Sequence, residues 1–219
     1  ISIARRAKYI IITTKVGHLI CHLGMSGKIT IYENTPEVTK HDHFDIVTDS
    51  FIIRYHDPRR FGCLIFSETL TNHNLLSKLG PEPLTEYFDH QYLFNQLQKR
   101  KATIKQLIMD NQIVVGVGNI YACESLFLSK ISPLRFGNTI TQQECNTLVD
   151  NIKQVLQQAI ELGGSSLRDY RDANGELGYF QQNHFVYAHS DEPCKICSSI
   201  IQEIRLGQRN SFYCPSCQK

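Results

Sequence analysis

The chain has 219 residues, of which 42% are hydrophobic, and a formal net charge of +2. This length can form one large domain or two to three small ones, with enough apolar residues for a core. No apolar run approaches the ~18 residues of a membrane span, and no signal-peptide pattern is present, so the composition excludes a membrane-spanning chain.

The first part of the chain favours β-structure. Short β-branched or aromatic runs alternate with Gly, Pro and Asp-Ser breaks, which predicts an antiparallel sandwich or barrel. The runs cover residues 9–14, 18–23, 28–32, 44–48, 51–55 and 63–66. The chain opens at Ile1 without a Met, on the approach to a strand, and we expect that it lacks its true N-terminal segment.

The middle of the chain changes to a helical pattern. Residues 72–80 predict a short helix or turn, and the Gly-Pro-Glu-Pro connector at 80–83 is a plausible boundary. Apolar spacing at i, i+3 and i+4 then predicts helices over 87–98, 103–110, 122–128 and 142–161. Thr141 and Glu144 form a capping box for the last helix, and Gly163-Gly164 ends it. Residues 164–190 lack periodicity and are expected to be a loop.

Four cysteines near the end predict a metal site. The pairs Cys194/Cys197 and Cys214/Cys217 are two C-x2-C motifs separated by sixteen residues, a spacing that suits tetrahedral zinc. The alternative is two disulfides in an oxidised chain. The other four cysteines are scattered through apolar segments and resemble buried, reduced thiols. Reduced thiols indicate an intracellular protein, in which zinc binding is favoured over disulfides. The sequence between the pairs predicts a β-hairpin whose polar tip points Arg209 outward.

Basic residues are concentrated in three regions, although the net charge is small. The regions lie before Glu33, between His90 and Met109, and after Cys194. They contain Arg5, Arg6, Lys8, Lys15 and Lys28; Lys99, Arg100, Lys101 and Lys105; and Lys195, Arg205, Arg209 and Lys219. They could form one phosphate-facing groove or three separate solvated faces.

Four short motifs are candidates for chemistry. Gly116 and Gly118 precede Asn119, which could cap the next helix. Free backbone N–H groups at the start of that helix could bind a phosphate. The alternative is a purely structural turn. The 56–62 loop carries Arg59, Arg60 and Phe61, and a second turn carries Met25. Each of these turns would suit a wedge that enters a duplex. The alternative is that Phe61 and Met25 pack in the core. The run 40–43 could offer metal ligands, a phosphate contact or a solvated turn.

Together these motifs resemble the formamidopyrimidine-DNA glycosylase family, which removes oxidised bases from DNA. The matching segments run from Arg5–Tyr9 through residues 22–27, 40–43, 57–62, 79–83, 109–111, 114–122 and 178–180 to 208–219. The resemblance implies an α+β multidomain fold with a β-sandwich, incomplete here, over residues 1–80. A helix-two-turns-helix domain with a lesion loop would cover 81–190, and a zinc-finger hairpin 191–219.

The resemblance also implies roles for individual residues. Lys8 would contact the backbone beside the lesion and assist β-elimination, and Arg209 would grip the phosphates and act in the final elimination. Met25, Arg59 and Phe61 would fill the gap left by the extruded base, and the loop near Arg168 would close over that base. Phosphate or other DNA contacts would come from His22, His41, Arg60, Arg100, Lys101, Asn119 and Tyr187.

The family's nucleophile is an N-terminal proline amine, with a glutamate after it as general acid, and neither residue begins this chain. We therefore expect the 219-residue chain to lack glycosylase activity by itself. The resemblance further implies one structural zinc ion, double-stranded DNA with oxidised bases as partner, a monomer, and a cytoplasmic, nucleoid-associated location of bacterial type. The alternatives are an endonuclease VIII-like enzyme for oxidised pyrimidines and a non-catalytic zinc-containing protein that binds damaged DNA.

Overall fold

The computed structural model describes residues 1–164 and 184–219. The described residues divide into two compact units, the first containing 1–77 and 161–164, the second 78–160 and 184–219. The predicted boundaries at 80/81 and 190/191 remain a prediction. Arg168 lies outside the described residues.

Within its described residues, the first unit contains two open antiparallel sheets, so the barrel alternative is wrong. One sheet has the order β1-β2-β3-β7, and the other has the order β4-β6-β5. The first comprises β1 (Ser2–Arg6), β2 (Tyr9–Thr13), β3 (His18–His22) and β7 (Cys63–Ser67). The second comprises β4 (Lys28–Tyr32), β5 (Asp42–Val47) and β6 (Ile52–His56). Buried residues from both sheets, among them Ile20 and Tyr55, form the core.

Strand β1 was not among the predicted runs. It pairs with β2 from Ser2↔Thr13 to Arg6↔Tyr9, leaving Ala7 and Lys8 as a two-residue turn. Ala7 has φ +52°, as tight hairpin turns require. Four of the five β1 residues are exposed, so the strand lacks the inside–outside alternation that sequence analysis detects.

The second unit is helical. Its helices are α1 (His90–Gln98), α2 (Ile104–Ile108), α3 (Asn119–Leu128) and α4 (Gln142–Glu161), with a 3-10 turn at Gly137–Thr139. Helix α1 begins later than predicted because Asp89 caps it, accepting the Tyr92 N–H at 2.7 Å. Residues 72–80 form turns without a helix. Among the described residues, none of the helices is long and apolar enough to cross a membrane.

Helix α4 occupies the predicted range. Its capping box is present: Glu144 accepts the Thr141 N–H at 2.8 Å, and the Glu144 N–H donates to the Thr141 hydroxyl at 3.2 Å. Gly163 and Gly164 follow the helix with φ +70° and +91°, the left-handed conformation that glycine adopts easily. The helices bury one apolar core that includes Phe88, Leu93, Ile108, Leu126 and Leu148.

The chain ends in a two-stranded sheet of β8 (Gln202–Leu206) and β9 (Arg209–Tyr213). Gly207 makes the turn with φ +60°, and Arg209 follows at the start of β9. A second apolar cluster joins α3 to this hairpin through Cys123, Phe127, Val186, Ile201 and Phe212. The hairpin is therefore packed onto the helical module within one compact unit.

Buried Glu124 of α3 fixes the segment that leads into the hairpin. Its carboxylate accepts the backbone N–H groups of Phe185, Val186 and Tyr187 at 2.8, 3.0 and 2.8 Å. We call this arrangement the Glu124 clamp. Glu124 is 2% exposed, and the three backbone N–H groups satisfy its buried carboxylate.

Candidate nucleic-acid interface

The four predicted cysteine ligands converge at the base of the hairpin. Their sulfurs all lie within 4.8 Å of one another, with Cys194 Sγ 4.0 Å from Cys217 Sγ and Cys197 Sγ 3.4 Å from Cys214 Sγ. Tetrahedral zinc with ~2.3 Å Zn–S bonds holds its sulfurs ~3.8 Å apart. All eight cysteines are free thiols, and no disulfide forms. Four thiolates leave no open coordination position, so this is a structural zinc site.

Lys105 of α2 is buried, although its sequence position suggested an exposed basic block. It is 1% exposed. Its ammonium donates to Asn119 Oδ1 at 2.6 Å, to the Asn210 carbonyl at 3.1 Å and to Ser211 Oγ at 2.5 Å. Three acceptors satisfy all three of its donors. Burial is the main cause that lowers the pKa of Lys105. Lys105 therefore joins α2, the start of α3 and β9.

Asn119 does not cap α3, in contrast to the prediction. Helix α3 begins at Asn119 itself, and its N-cap is Gly118, which has no side chain to accept an N–H. The Asn119 side chain instead accepts from Lys105 and donates to the Asn210 carbonyl at 2.9 Å. Helix α3 therefore begins without a side chain at its N-cap position, and its first residue lies beside the hairpin.

An open hollow of about 280 Å³ lies between α2 and the hairpin turn. Its lining residues are Lys105, Gln106, Met109, Leu206, Gly207, Gln208 and Arg209. Arg209 is exposed, as predicted for the hairpin tip. This part of the second unit combines an exposed arginine, a helix N-terminus and a fixed asparagine, which are groups that bind phosphates.

In the first unit, the Met25 turn and the 57–62 loop lie against each other. A Cβ added to Gly24 would come within 2.6 Å of the Gly62 nitrogen and of the Phe61 carbonyl carbon. Met25 is 63% exposed and Phe61 is 59% exposed, so neither packs in the core of the described structure. The Arg59 guanidinium lies over the Phe61 ring, 4.8 Å from its centroid. Two apolar side chains and an arginine therefore project from adjoining turns.

The 40–43 motif belongs to a hydrogen-bonded network. Asp42 accepts from His56 Nδ1 at 2.8 Å and from Arg54 at 3.3 Å. The His41 ring meets the His56 ring edge-on, with centroids 5.8 Å apart. In the ranges that the structure describes, the four cysteines are the one group of ligand type that could hold a metal, so the metal-ligand alternative for this motif fails.

The remaining predicted residues fall into the same two groups. In the first unit, exposed Lys8 occupies the β1–β2 turn and exposed Arg60 lies in the 57–62 loop. His22 accepts the Gly24 N–H at 3.0 Å, and burial followed by the Lys8 charge lowers its pKa. In the second unit, Lys101 is exposed and Arg100 donates to Gln96.

Tyr187, another predicted DNA-binding residue, packs edge-on against Phe212 of β9, with ring centroids 5.0 Å apart. Asp57 and Glu124 were not predicted to have a role from the sequence. Each is a buried carboxylate whose partners are mostly backbone N–H groups and hydroxyls, and nothing in a single sequence marks such a residue.

Comparison with known proteins agrees with this fold and with the zinc finger. Family models match residues 1–64 (formamidopyrimidine-DNA glycosylase N-terminal domain), 79–171 (formamidopyrimidine-DNA glycosylase H2TH domain) and 191–219 (zinc finger found in FPG and IleRS). A formamidopyrimidine-DNA glycosylase of Pasteurella multocida is 48% identical over 220 residues, covering 100% of this chain and 82% of the relative. One from Vibrio vulnificus is 50% identical over 217 residues, covering 99% and 81%.

Solved structures are also similar. The Lactococcus lactis Fpg bound to abasic-site DNA superposes with a TM-score of 0.90 at 37% identity, covering 99% of this chain and 81% of that one. The MutM (Fpg) protein of Thermus thermophilus has a TM-score of 0.90 at 36% identity, with the same coverage. A MutM complex with DNA containing carbocyclic 8-oxo-G has a TM-score of 0.90 at 36% identity, covering 99% and 80%.

The fold and the four-cysteine site define a zinc-finger protein with a helix-two-turns-helix module. The chain belongs to the formamidopyrimidine-DNA glycosylase family, because relatives at 48–50% identity match it along its whole length.

Proposed function

We propose that this protein acts in base-excision repair as a DNA glycosylase and abasic-site lyase. Its substrates would be oxidised purines, 8-oxoguanine and formamidopyrimidines, and β,δ-elimination would nick the abasic site. The named relatives are formamidopyrimidine-DNA glycosylases. The similar structures include complexes with abasic-site, Fapy-dG and carbocyclic 8-oxo-G DNA. The oxidised-pyrimidine alternative has no comparable support among them.

The observation that carries the proposal is the pair of adjoining turns bearing Met25, Arg59 and Phe61. Two large apolar side chains exposed on adjoining turns form an apolar patch of the kind that marks an interaction site. An extruded base leaves an apolar gap between its stacked neighbours, and inserted side chains can fill that gap. Arg59 lies on the Phe61 ring and adds a positive charge where the phosphates approach.

Phosphate contacts in this proposal come from both units. They would be made by His22, His41, Arg60, Arg100, Lys101 and Asn119, with Tyr187 and Arg168 completing the DNA-binding set. Lys8 and Arg209 would serve the elimination steps. The same proposal includes a division into domains at 1–80, 81–190 and 191–219, and a monomeric protein. It also includes a cytoplasmic, nucleoid-associated location, because the relatives named above are bacterial proteins.

Replacing Met25 with alanine tests the proposal. Affinity for undamaged duplex should stay within about twofold, because the phosphate contacts remain. Affinity for a duplex with a tetrahydrofuran abasic analogue should fall about tenfold, because the vacated stack is no longer filled. Fluorescence anisotropy with both duplexes measures the two values, and Val38→Ala, at another exposed apolar residue of the unit, is the control. Equal losses on both duplexes would indicate a packing role for Met25.

Lesion preference separates the candidate functions. Tighter binding to 8-oxoguanine than to an oxidised pyrimidine supports the proposal, and the reverse order supports the endonuclease VIII-like alternative. The chain could bind damaged DNA while the protein encoded by its gene forms no borohydride-trapped adduct with abasic DNA. That result would support the non-catalytic binding protein.

Arg209→Ala tests the phosphate role of the hairpin. Binding should weaken equally for all duplex sequences, and the slope of log K against log salt should become shallower by about one, since one phosphate contact is lost. Arg205→Ala is the matched control, because Arg205 is exposed on β8 of the same hairpin. Its salt slope should change less. A changed sequence preference with an unchanged slope would contradict the assignment.

A further inference from the structure

The carboxylate of Asp57 lies at the junction of the two projecting turns. It is 0% exposed and has no cation within its hydrogen-bond set. Four donors surround it: Ser26 Oγ at 2.7 Å and the Arg59 N–H at 3.2 Å on Oδ1, Tyr55 OH at 3.0 Å and the Gly62 N–H at 2.9 Å on Oδ2. Each oxygen thus receives one hydroxyl and one backbone N–H.

The donors come from three different segments. Ser26 belongs to the turn that presents Met25, and Arg59 and Gly62 flank Phe61 in the loop. Tyr55 comes from β6, and its hydroxyl fills the space beside both turns: a Cβ at Gly62 would lie 1.8 Å from it and one at Gly27 2.9 Å. The carboxylate is therefore the point at which the Met25 turn, the Phe61 loop and the sheet are fastened together.

The backbone of Asp57 extends this connection to His41 and to His43 at the start of β5. Its N–H donates to the His41 carbonyl at 3.0 Å, and its carbonyl accepts from His43 Nε2 at 2.8 Å. Burial alone would raise the pKa of Asp57, but the hydrogen bonds from Gly62, Ser26, Tyr55 and Arg59 outweigh it and lower that pKa to about 2. The group is an anion at neutral pH, which accepts four donors better than a neutral side chain does.

We propose that Asp57 is a positioning residue for lesion recognition: its carboxylate holds the Met25 turn and the Arg59–Phe61 loop in the one relative arrangement from which their side chains fill the gap in damaged DNA. This inference rests on the proposed function of these turns. Asp57 is buried, so it acts through Met25 and Phe61 and does not itself reach the DNA. Because both apolar groups must enter one gap, the distance between the turns decides how well they fit.

Asp57→Asn removes the charge at nearly constant volume. The amide NH₂ must then face a pair of donors; the hydroxyls of Ser26 and Tyr55 can rotate to accept, but the N–H of Arg59 or Gly62 cannot. One backbone donor on the loop is left unpaired, which is costly in a buried site. Ser26→Ala is the milder variant. It removes only the link to the Met25 turn and leaves the other three donors of Asp57 in place.

The measurement is the ratio of the dissociation constants for undamaged duplex and for the tetrahydrofuran duplex, using the full chain. We expect this ratio to fall about tenfold in Asp57→Asn and about threefold in Ser26→Ala, with undamaged-duplex affinity within about twofold of wild type. Asp45→Asn is the control, since Asp45 is a carboxylate of the same sheet that pairs with Arg54, and it should keep the wild-type ratio.

A double variant separates positioning from general stability. If Asp57 acts through the Met25 turn, Asp57→Asn combined with Met25→Ala should lose no more discrimination than the more affected single variant. The assignment would be overturned if the losses of the two single variants multiplied in the double variant. It would also be overturned if folded Asp57→Asn and Ser26→Ala both kept the wild-type ratio of dissociation constants. Either result would leave the proposed function intact. A wild-type chain that bound both duplexes equally would overturn the proposed function and this inference with it.

Discussion

Replacing Cys214 with serine should remove the zinc ion and unfold the β8–β9 hairpin. Cys214 is 0% exposed and is one of four thiolate ligands. Structural zinc contributes about 10–16 kcal/mol of apparent binding energy in zinc-finger peptides, and a two-stranded hairpin alone is at best marginally stable. Without the metal, the sheet that carries Arg209 keeps the apolar cluster of Cys123 and Phe212 and the hydrogen bonds of Lys105 and Asn119 to β9, but it loses the link between the segments before β8 and after β9.

Zinc content, measured colorimetrically after release, should fall from about one per chain to near zero. Hydrogen exchange of the β9 amides should become fast, while the α1–α4 core, built from other residues, keeps its protection. Cys145→Ser is the matched control, because Cys145 is equally buried on α4 but is no ligand. A Cys214→Ser protein that retained stoichiometric zinc and a protected hairpin would show that the metal site is wrongly assigned.

Lys105→Met should weaken DNA binding about 10–100-fold, a loss of about 1.4–2.8 kcal/mol, with a much smaller change in the free energy of unfolding. Methionine matches the length of the lysine chain and removes the cost of burying an ammonium group. It also leaves Asn119 Oδ1, the Asn210 carbonyl and Ser211 Oγ without their shared donor. The start of α3 and the base of β9 then lose their common anchor.

Anisotropy titrations measure the affinity, and urea unfolding measures the stability. Lys153→Met is the control, since the Lys153 ammonium also donates to a neutral oxygen, the Thr85 carbonyl at 3.1 Å, away from the hairpin. It should bind DNA as wild type does. If Lys105→Met lost affinity only in proportion to its loss of folded protein, Lys105 would be a core residue without a role in arranging the interface.

Local patterns in the sequence predicted the features that short-range physics determines. The cysteine spacing fixed the metal ligands, and the Thr141–Glu144 pair with Gly163 bounded α4. Lys105 as an exposed base and Asn119 as a helix cap were interpreted wrongly because their partners are distant: Lys105 meets Ser211 across 106 positions of the chain. A lysine in a basic run is normally exposed, and only the packing of the hairpin onto α2 reverses that expectation.

Asp57 was missed for a related reason. Its neighbours in sequence, Arg59 and Phe61, carried the recognisable pattern, whereas its own role depends on Ser26, 31 positions earlier. The side chains that project from the surface were therefore identified from sequence, and the groups that hold them in place were not. Hydrogen-bond networks between distant segments need a structure before they can be found.

The Glu124 clamp has a consequence for how this fold can vary. The point at which the chain enters the zinc hairpin is set by a carboxylate on α3, through the backbone N–H groups of residues 185–187. Every residue except proline supplies such a backbone N–H, whatever its side chain. Side-chain exchanges at residues 185–187, proline excepted, therefore leave all three donors in place, so this anchor constrains the path of the backbone and not the identity of the residues.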